Sequence, residues 1–145
     1  MEKEFVPYKQ ALALKELGFD EPCAACYGSY THKTSELFLN INNPVNIETL
    51  VREKTGFNRP TFYVKSPTFS HVFRWFREKY NLHHSISILQ RSCRYHFKIR
   101  TIECESDLKP FGDNKIIFED GPRKKYEDIE LDCLKKLIEI VTNKN

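Results

Sequence analysis

Hydrophobic and polar residues alternate along residues 93–103, and this is the clearest structural pattern in the chain. Three apolar residues occupy every second position, namely Tyr95, Phe97 and Ile99. Four basic residues fill the positions between and around them, namely Arg94, His96, Lys98 and Arg100. Because successive side chains of a strand point to opposite faces, the pattern predicts a strand with one buried face and one cationic face.

Shorter alternating segments predict further strands. Residues 84–89 place isoleucines on one side and serines on the other. Residues 23–30 and 36–42 predict a hairpin, in which the second segment returns beside the first. Residues 115–119 predict one more strand, and the Gly121-Pro122 pair after it is expected to break the chain.

Helical periodicity appears in three places. Residues 8–17 contain good helix formers between Pro7 and Gly18, residues that favour the start and the end of a helix. Residues 67–80 carry an apolar stripe made of Phe69, Val72, Phe73, Phe76 and Tyr80. Residues 126–142 carry a broad apolar face made of Ile129, Cys133, Leu134, Leu137, Ile138 and Val141. A short helical turn is expected within residues 45–56, and residues 58–66 are expected to be irregular or extended.

These elements predict an α+β fold. The expected architecture is an antiparallel sheet of about five short strands with three helices, in the order α-ββ-α-β-β(-β)-α. At 145 residues, with 40% hydrophobic and 13% aromatic residues, the chain is long and apolar enough for one domain spanning residues 1–145. It contains no apolar run near the ~20 residues that cross a bilayer and no apolar N-terminal leader, so a cytoplasmic protein without a membrane partner is expected. The odd count of five cysteines argues against a disulfide framework.

Positive charge is concentrated in residues 50–104. This segment holds eleven Lys or Arg and three Glu, a net charge of +8, although the whole chain carries +3. A block of this kind raises the local electrostatic potential and favours anionic partners, with nucleic acid first among them.

Two groups of residues are candidates for partner binding. The first is the basic strand face with its neighbour, made of Arg91, Arg94, His96, Lys98 and Arg100, with His84 as a further candidate to extend it. The alternative is an ordinary solvated face whose cations discourage edge aggregation. The second lies on the polar side of the second helix and is made of Arg74, Trp75 and Arg77. Trp and Arg are common interface anchors, although Trp75 fits equally well at the edge of the core. The aromatic residues of the strip 61–65 either stack on bases or fill the core.

No sequence motif identifies a catalytic or metal site. Cys23 and Cys26 have the spacing of half a zinc site, but no matching second pair follows, so small buried hydrophobic residues are the expected interpretation. A nucleophile elbow and a phosphate-binding glycine loop are both lacking. A nuclease built from His71, His96 and Lys98 is left open as an alternative. The expectation is a protein that is not an enzyme and has no cofactor.

Three stretches resemble one family. They are EFVPYKQALALKELGFDEPC at Glu4–Cys23, FRWFREKYNL at Phe73–Leu82 and LDCLKKLIEIV at Leu131–Val141. They are similar to a family of small uncharacterised phage and prophage accessory proteins of the Bacteroides group. The resemblance implies a phage accessory setting, in which many small proteins block host defence, and it supplies no catalytic residues.

The basic surface and the resemblance together lead to one functional expectation. The chain is expected to be a non-enzymatic, phage-encoded binding protein that inhibits a host nuclease-type defence, in the manner of an anti-CRISPR protein that blocks an RNA-guided nuclease. Its partner would be the host defence nuclease or its guide RNA complex, in the host cell cytoplasm. The alternative is a phage accessory protein that binds RNA or DNA directly. The sequence leaves open the oligomeric state and the role of residues 104–114.

Overall fold

The computed structural model describes residues 2–29, 36–39, 62–89, 93–103 and 113–144. The chain falls into two compact units, Met1–Phe69 and Ser70–Asn145, and each is described by itself. The expectation of a single domain therefore stays a prediction. The expected helical turn within residues 45–56, the predicted partner-binding residue Arg91 and most of the 104–114 segment lie outside the described residues.

In its described residues, the first unit combines one α-helix with a three-stranded antiparallel sheet. After a 3-10 turn at Glu2–Glu4, helix α1 spans Tyr8–Glu16, and strands β1, β2 and β3 span Ala25–Ser29, Glu36–Leu39 and Phe62–Lys65. The sheet order is β2-β1-β3. The predicted hairpin is confirmed, because β1 and β2 pair antiparallel. Within the predicted irregular or extended segment, residues 62–65 form a strand that pairs with β1.

The predicted first helix is also confirmed, and its ends have the expected causes. Pro7 occupies the N-cap with extended backbone angles, and Gly18 has a φ of 81°, the left-handed conformation that favours glycine at a helix end. Ala11 and Leu14 are buried. The core of this unit further contains Val6, Phe19, Cys23, Ala25, Cys26 and Val64.

The second unit contains the longer strands. Helix α2 spans Phe69–Tyr80, beginning at the boundary between the units, and helix α3 spans Tyr126–Thr142. Strands β4, β5 and β6 span His83–Leu89, Arg94–Glu103 and Asp113–Arg123, and they form an antiparallel sheet in that order. Helix α3 packs mainly against β5, and it buries Ile129, Cys133, Leu134, Leu137 and Val141. The apolar stripe predicted for α2 is confirmed by the burial of Phe69, Val72, Phe73 and Phe76.

The α+β class with three α-helices and antiparallel sheets is confirmed for the described part of the chain. Two details differ from the prediction. The strands belong to two three-stranded sheets rather than one sheet. The expected break at Gly121-Pro122 is wrong, because β6 continues to Arg123 through an irregularity in its pairing with β5. A proline is tolerated there because β6 is an edge strand among the described residues, so one side of its backbone needs no ladder donor.

In the described ranges, no helix is long and apolar enough to cross a membrane.

Candidate nucleic-acid interface

The two faces of β5 differ in the way that its alternation predicts. Phe97 and Ile99 are 1% and 0% exposed. Helix α3 covers this face: the Tyr126 ring lies edge-on to the Tyr95 ring with centroids 5.6 Å apart. The intervening side chains therefore project from the opposite face of the sheet. We call these four residues the cationic row: Arg94, His96, Lys98 and Arg100.

Across from the row, β4 contributes mainly uncharged side chains. The pairing places His83 opposite Arg100, Ser85 opposite Lys98, Ser87 opposite His96 and Leu89 opposite Arg94. Directly paired residues of an antiparallel ladder share a face, so these four residues line the row on one side. The β4 side of the surface thus adds hydroxyl groups and no carboxylate.

On the other side of the row, β6 supplies one carboxylate. Glu119 pairs with Lys98, and the Lys98 Nζ lies 3.0 Å from Glu119 Oε1. Lys98 is therefore partly neutralised. Among the described residues, the other three members of the cationic row form no ion pair.

Two members of the row hold buried nitrogen atoms without a hydrogen-bond partner among the described residues. His96 has its Nε2 3.2 Å from Ser87 Oγ, while its Nδ1 is buried and unpartnered. Arg100 is half-buried, and its Nε is likewise buried and unpartnered. Leaving a buried donor without an acceptor costs about 1–3 kcal/mol.

Some cations elsewhere in the second unit are paired with carboxylates. Arg123 Nε lies 2.8 Å from Asp132 Oδ2, and Lys135 Nζ lies 3.1 Å from the other oxygen of the same carboxylate. Lys136 Nζ lies 2.6 Å from Glu139 Oε1. Arg94 and Arg100 have no carboxylate partner within the described ranges, and the same holds for Arg77, Lys124 and Lys125.

The second predicted group, on α2, belongs to a different surface. The Phe73 ring of α2 stacks on the His84 ring with centroids 3.8 Å apart, and His84 pairs with the buried Ile99. Helix α2 therefore lies on the side of the sheet opposite the row. Arg74 and Arg77 are carried by this helix, and Arg74 Nε lies 3.9 Å from Glu78 Oε1.

Trp75 is 5% exposed and lies in the core. Its ring packs edge-on against Phe76 and Tyr80 at centroid distances of 5.1 and 5.2 Å, and Lys79 Nζ lies 4.8 Å from its centroid. Its assignment as a partner-binding residue does not fit this burial. A side chain this deeply packed offers a partner little contact area, so the structure favours the core-edge interpretation.

His84 is a histidine of this unit with a strongly lowered pKa. Burial and, to a smaller extent, the positive groups of Arg77 and His83 together lower its pKa to about 4. The imidazole is thus kept neutral against the Phe73 ring at neutral pH. His84 adds no charge to the cationic row, because it lies on the other face of the sheet and is neutral.

The alternative chemistries find no assembled site in the described residues. Burial raises the pKa of Cys23 to about 12 and that of Cys26 to about 11, so both are protonated thiols at neutral pH. No group of three or more metal-ligating side chains occurs within the described ranges. His71 belongs to α2, on the other side of the sheet from His96 and Lys98, so this set is not brought together.

The aromatic strip 61–65 is only partly available for stacking. Tyr63 is 36% exposed and Val64 is buried. Lys65 Nζ donates hydrogen bonds to the backbone oxygen and to the carboxylate of Asp20. Thr61 lies outside the described residues.

Sequence reasoning missed Glu119, Ser87 and Gly121 as neighbours of the row. A Cβ atom at Gly121 would lie 2.9 Å from the Cβ of His96, so the β6 backbone closely approaches the row at this point. The serine alternation on β4 was visible in the sequence and could have indicated Ser87. The positions of Glu119 and Gly121 depend on two register shifts between β5 and β6, which have no local sequence signal.

Comparisons with known proteins add no assignment: protein-family models, curated proteins and solved structures yield no match to this chain.

Proposed function

We propose that this chain is a non-enzymatic binding protein that engages a polyanionic partner through the cationic row. The observation that carries the proposal is the projection of four basic side chains from one sheet face, with a carboxylate on Lys98 alone among the described residues. Ser85 and Ser87 beside the row supply hydroxyls, which commonly donate hydrogen bonds to phosphate oxygens.

The number of cations sets the expected strength of binding. Arg94, Lys98 and Arg100 are permanent charges, and Glu119 offsets one of them. Engaging two or three phosphates gives a slope of about −2 to −3 in log K against log salt concentration. The row by itself thus supports weak, strongly salt-dependent binding, to which segments outside the described residues can add further cations such as Arg91.

The sharper form of the proposal is an anti-CRISPR-like inhibitor encoded by a phage and acting in the host cell cytoplasm. It is supported by the resemblance of Glu4–Cys23, Phe73–Leu82 and Leu131–Val141 to phage accessory proteins. The channel that holds the heteroduplex in RNA-guided nucleases is itself positively charged. A basic surface therefore fits the guide RNA, or an acidic patch of the nuclease, better than it fits an empty channel.

The alternative function is direct binding of RNA or DNA in phage replication or regulation. The same row and hydroxyls favour it. The two functions differ in the partner: the inhibitor binds a host nuclease or its guide RNA complex, whereas the alternative binds RNA or DNA without a host protein.

A pair of measurements tests the proposal. Fluorescence anisotropy with generic RNA and DNA across a salt series is expected to show binding that weakens as salt rises. The variant R94A/R100A is expected to bind at least tenfold more weakly, whereas K124A/K125A, which removes the same charge from exposed positions before α3, keeps most of the affinity. Equal losses in both variants would show that net charge, and not the row, determines binding.

Affinity purification from host lysate separates the two functions. A nuclease-type complex that is retained after RNase and DNase treatment favours the inhibitor, and a loss of all partners on treatment favours direct nucleic-acid binding. A protein that retains no partner and shows no salt-dependent binding would refute both.

A further inference from the structure

The two edges of the β4-β5-β6 sheet are built very differently. The β6 edge carries Lys115, Glu119, Asp120 and Pro122, and its pairing with β5 is interrupted by two register shifts. Charges, proline and bulges are the devices by which proteins prevent another strand from pairing at a sheet edge. The β6 edge therefore has all three kinds of protection against pairing with another strand.

The β4 edge has none of these protections. Its sequence, HHSISIL, contains no proline and no Lys, Arg, Asp or Glu, and it pairs with β5 in unbroken register. Within the described residues of the second unit, β5 is its one strand neighbour. Its C-terminal half, Ser87–Leu89, is exposed, and Ile88 is 57% and Leu89 40% exposed. An open, uncharged and apolar edge is a template for β-pairing.

The composition of β4 makes it complementary to itself. An antiparallel two-fold pairing centred on Ser87 places Ile88 opposite Ile86 of the partner subunit and Leu89 opposite Ser85 of the partner subunit. In such pairing, residues of equal parity face each other, so the apolar face of one copy continues as the apolar face of the next. Cross-strand pairs of β-branched residues stabilise a sheet, and no like charges oppose each other.

A pairing centred on Ser87 also leaves an existing side-chain contact of β4 intact in each copy. It uses residues Ser85–Leu89 and leaves out His83, whose Nε2 lies 3.0 Å from Asn81 Oδ1. The pairing segment thus includes the exposed residues Ser87–Leu89 together with the partly exposed Ser85 and Ile86.

We propose that two copies of this chain associate through antiparallel pairing of their β4 edges, which makes one continuous six-stranded sheet from two three-stranded ones. The cationic rows of both copies then lie on the same face. They are separated by the two β4 strands, three inter-strand steps of about 4.8 Å each, or about 14 Å. This exceeds the Debye length of about 8 Å at physiological salt, so repulsion between the rows is largely screened.

A short edge contact implies a weak dimer. Interfaces below about 1,200 Å² are typical of transient association, so the dissociation constant is expected in the micromolar range. Sedimentation velocity and light scattering of the whole chain from about 1 to 500 µM therefore cover the transition. The weight-average mass is expected to rise from 17.2 kDa towards twice that value.

A matched pair of substitutions identifies the edge. Ile88→Lys places a charge on the open edge, and Ile116→Lys places the same charge on the protected edge at a position of similar exposure, 50% against 57%. The first variant is expected to weaken association at least tenfold, and the second to leave it unchanged. Circular dichroism of both variants confirms that they fold.

Hydrogen exchange on the wild-type chain supplies a test that needs no variant. Amides of Ser85–Leu89 are expected to gain protection at high protein concentration. A monomer across the whole range, or a dimer that Ile116→Lys weakens as much as Ile88→Lys does, or a dimer without added protection in β4, would each overturn the proposal. The R94A/R100A variant is expected to keep the wild-type mass, so a failure of self-pairing is distinguishable from a failure of polyanion binding.

Discussion

Gly121 lies so close to His96 that a methyl group at Gly121 would meet the His96 Cβ at 2.9 Å. Strand β6 thus passes the cationic row at a point where only a glycine fits without displacement. The amide of Gly121 also donates a hydrogen bond to Asp120 Oδ1 over 2.7 Å. This close approach lets β6 continue along β5 through the residues at which the sequence predicts a break.

We expect Gly121→Ala to destabilise the second unit by about 1–3 kcal/mol, the usual cost of overpacking a closely packed site. The physical reason is that both neighbours are backbone-proximal atoms, Cβ and Cα of His96, which cannot rotate away. Urea unfolding of the variant and the wild type measures the change in free energy.

A double-mutant cycle with His96→Gly serves as the control. Removing the His96 Cβ removes the clash, so the destabilisation caused by Gly121→Ala should be smaller in the His96→Gly background. Strictly additive effects of the two substitutions would show that the contact carries no strain.

A second prediction concerns pH and follows from the depressed pKa of His84. The unfolded chain titrates this imidazole near 6.5, whereas the folded chain titrates it near 4. Between these values the unfolded state binds more protons, so the free energy of unfolding falls as the pH is lowered from 6.5 to 4. The loss is at most about 3 kcal/mol.

The variant His84→Gln removes the ionisable ring and should flatten this dependence. Unfolding in urea at half-unit steps from pH 4 to pH 7 measures the slope for both proteins. The groups that face the ring, Arg77 and His83, are retained in the variant. A variant with the same slope as the wild type would assign the pH dependence to other groups.

A third prediction separates the two interpretations of Trp75. Truncation of this buried ring to alanine should cost about 3–5 kcal/mol of unfolding free energy, and Trp75→Phe should cost less because most of the packing against Phe76 and Tyr80 is kept. Trp75→Phe is expected to bind nucleic acid as the wild type does. A loss of binding in a stable Trp75→Phe variant would contradict the core interpretation and show that the indole ring contacts the partner.

Local sequence patterns predicted the elements of this fold better than their assembly. The alternation in β5 and the stripe of α2 reflect periods of 2 and 3.6 residues, and such periods can be recognised within a short stretch of sequence. The burial of Phe97 and the exposure of Arg94 follow from the first pattern. The division of the strands into two sheets depends on pairing between distant segments, such as β1 with β3, and no local period encodes it.

The candidate site was predictable to the same extent. The cationic row came from alternation within one strand, whereas its carboxylate, Glu119, comes from a neighbouring strand in a register set by two irregularities. The sequence placed Trp75 on the polar side because it directly precedes Phe76, a residue of the apolar stripe, and successive residues of a helix point in different directions. The ring is large enough to reach the core from that position, and a helical wheel does not represent this reach.

The last prediction uses the Lys98–Glu119 pair, whose atoms lie 3.0 Å apart on a partly exposed surface. Glu119→Gln removes a carboxylate that competes with phosphate for Lys98, so we expect nucleic-acid affinity to rise about two- to fivefold at low salt, and stability to change by less than about 1 kcal/mol. Glu139→Gln is the matched control, because it removes a carboxylate paired with Lys136 on α3 and changes the net charge equally. Anisotropy titrations with one RNA at fixed salt compare the three proteins. An equal rise in both variants would attribute the gain to net charge, and no rise in Glu119→Gln would exclude Lys98 from the binding surface.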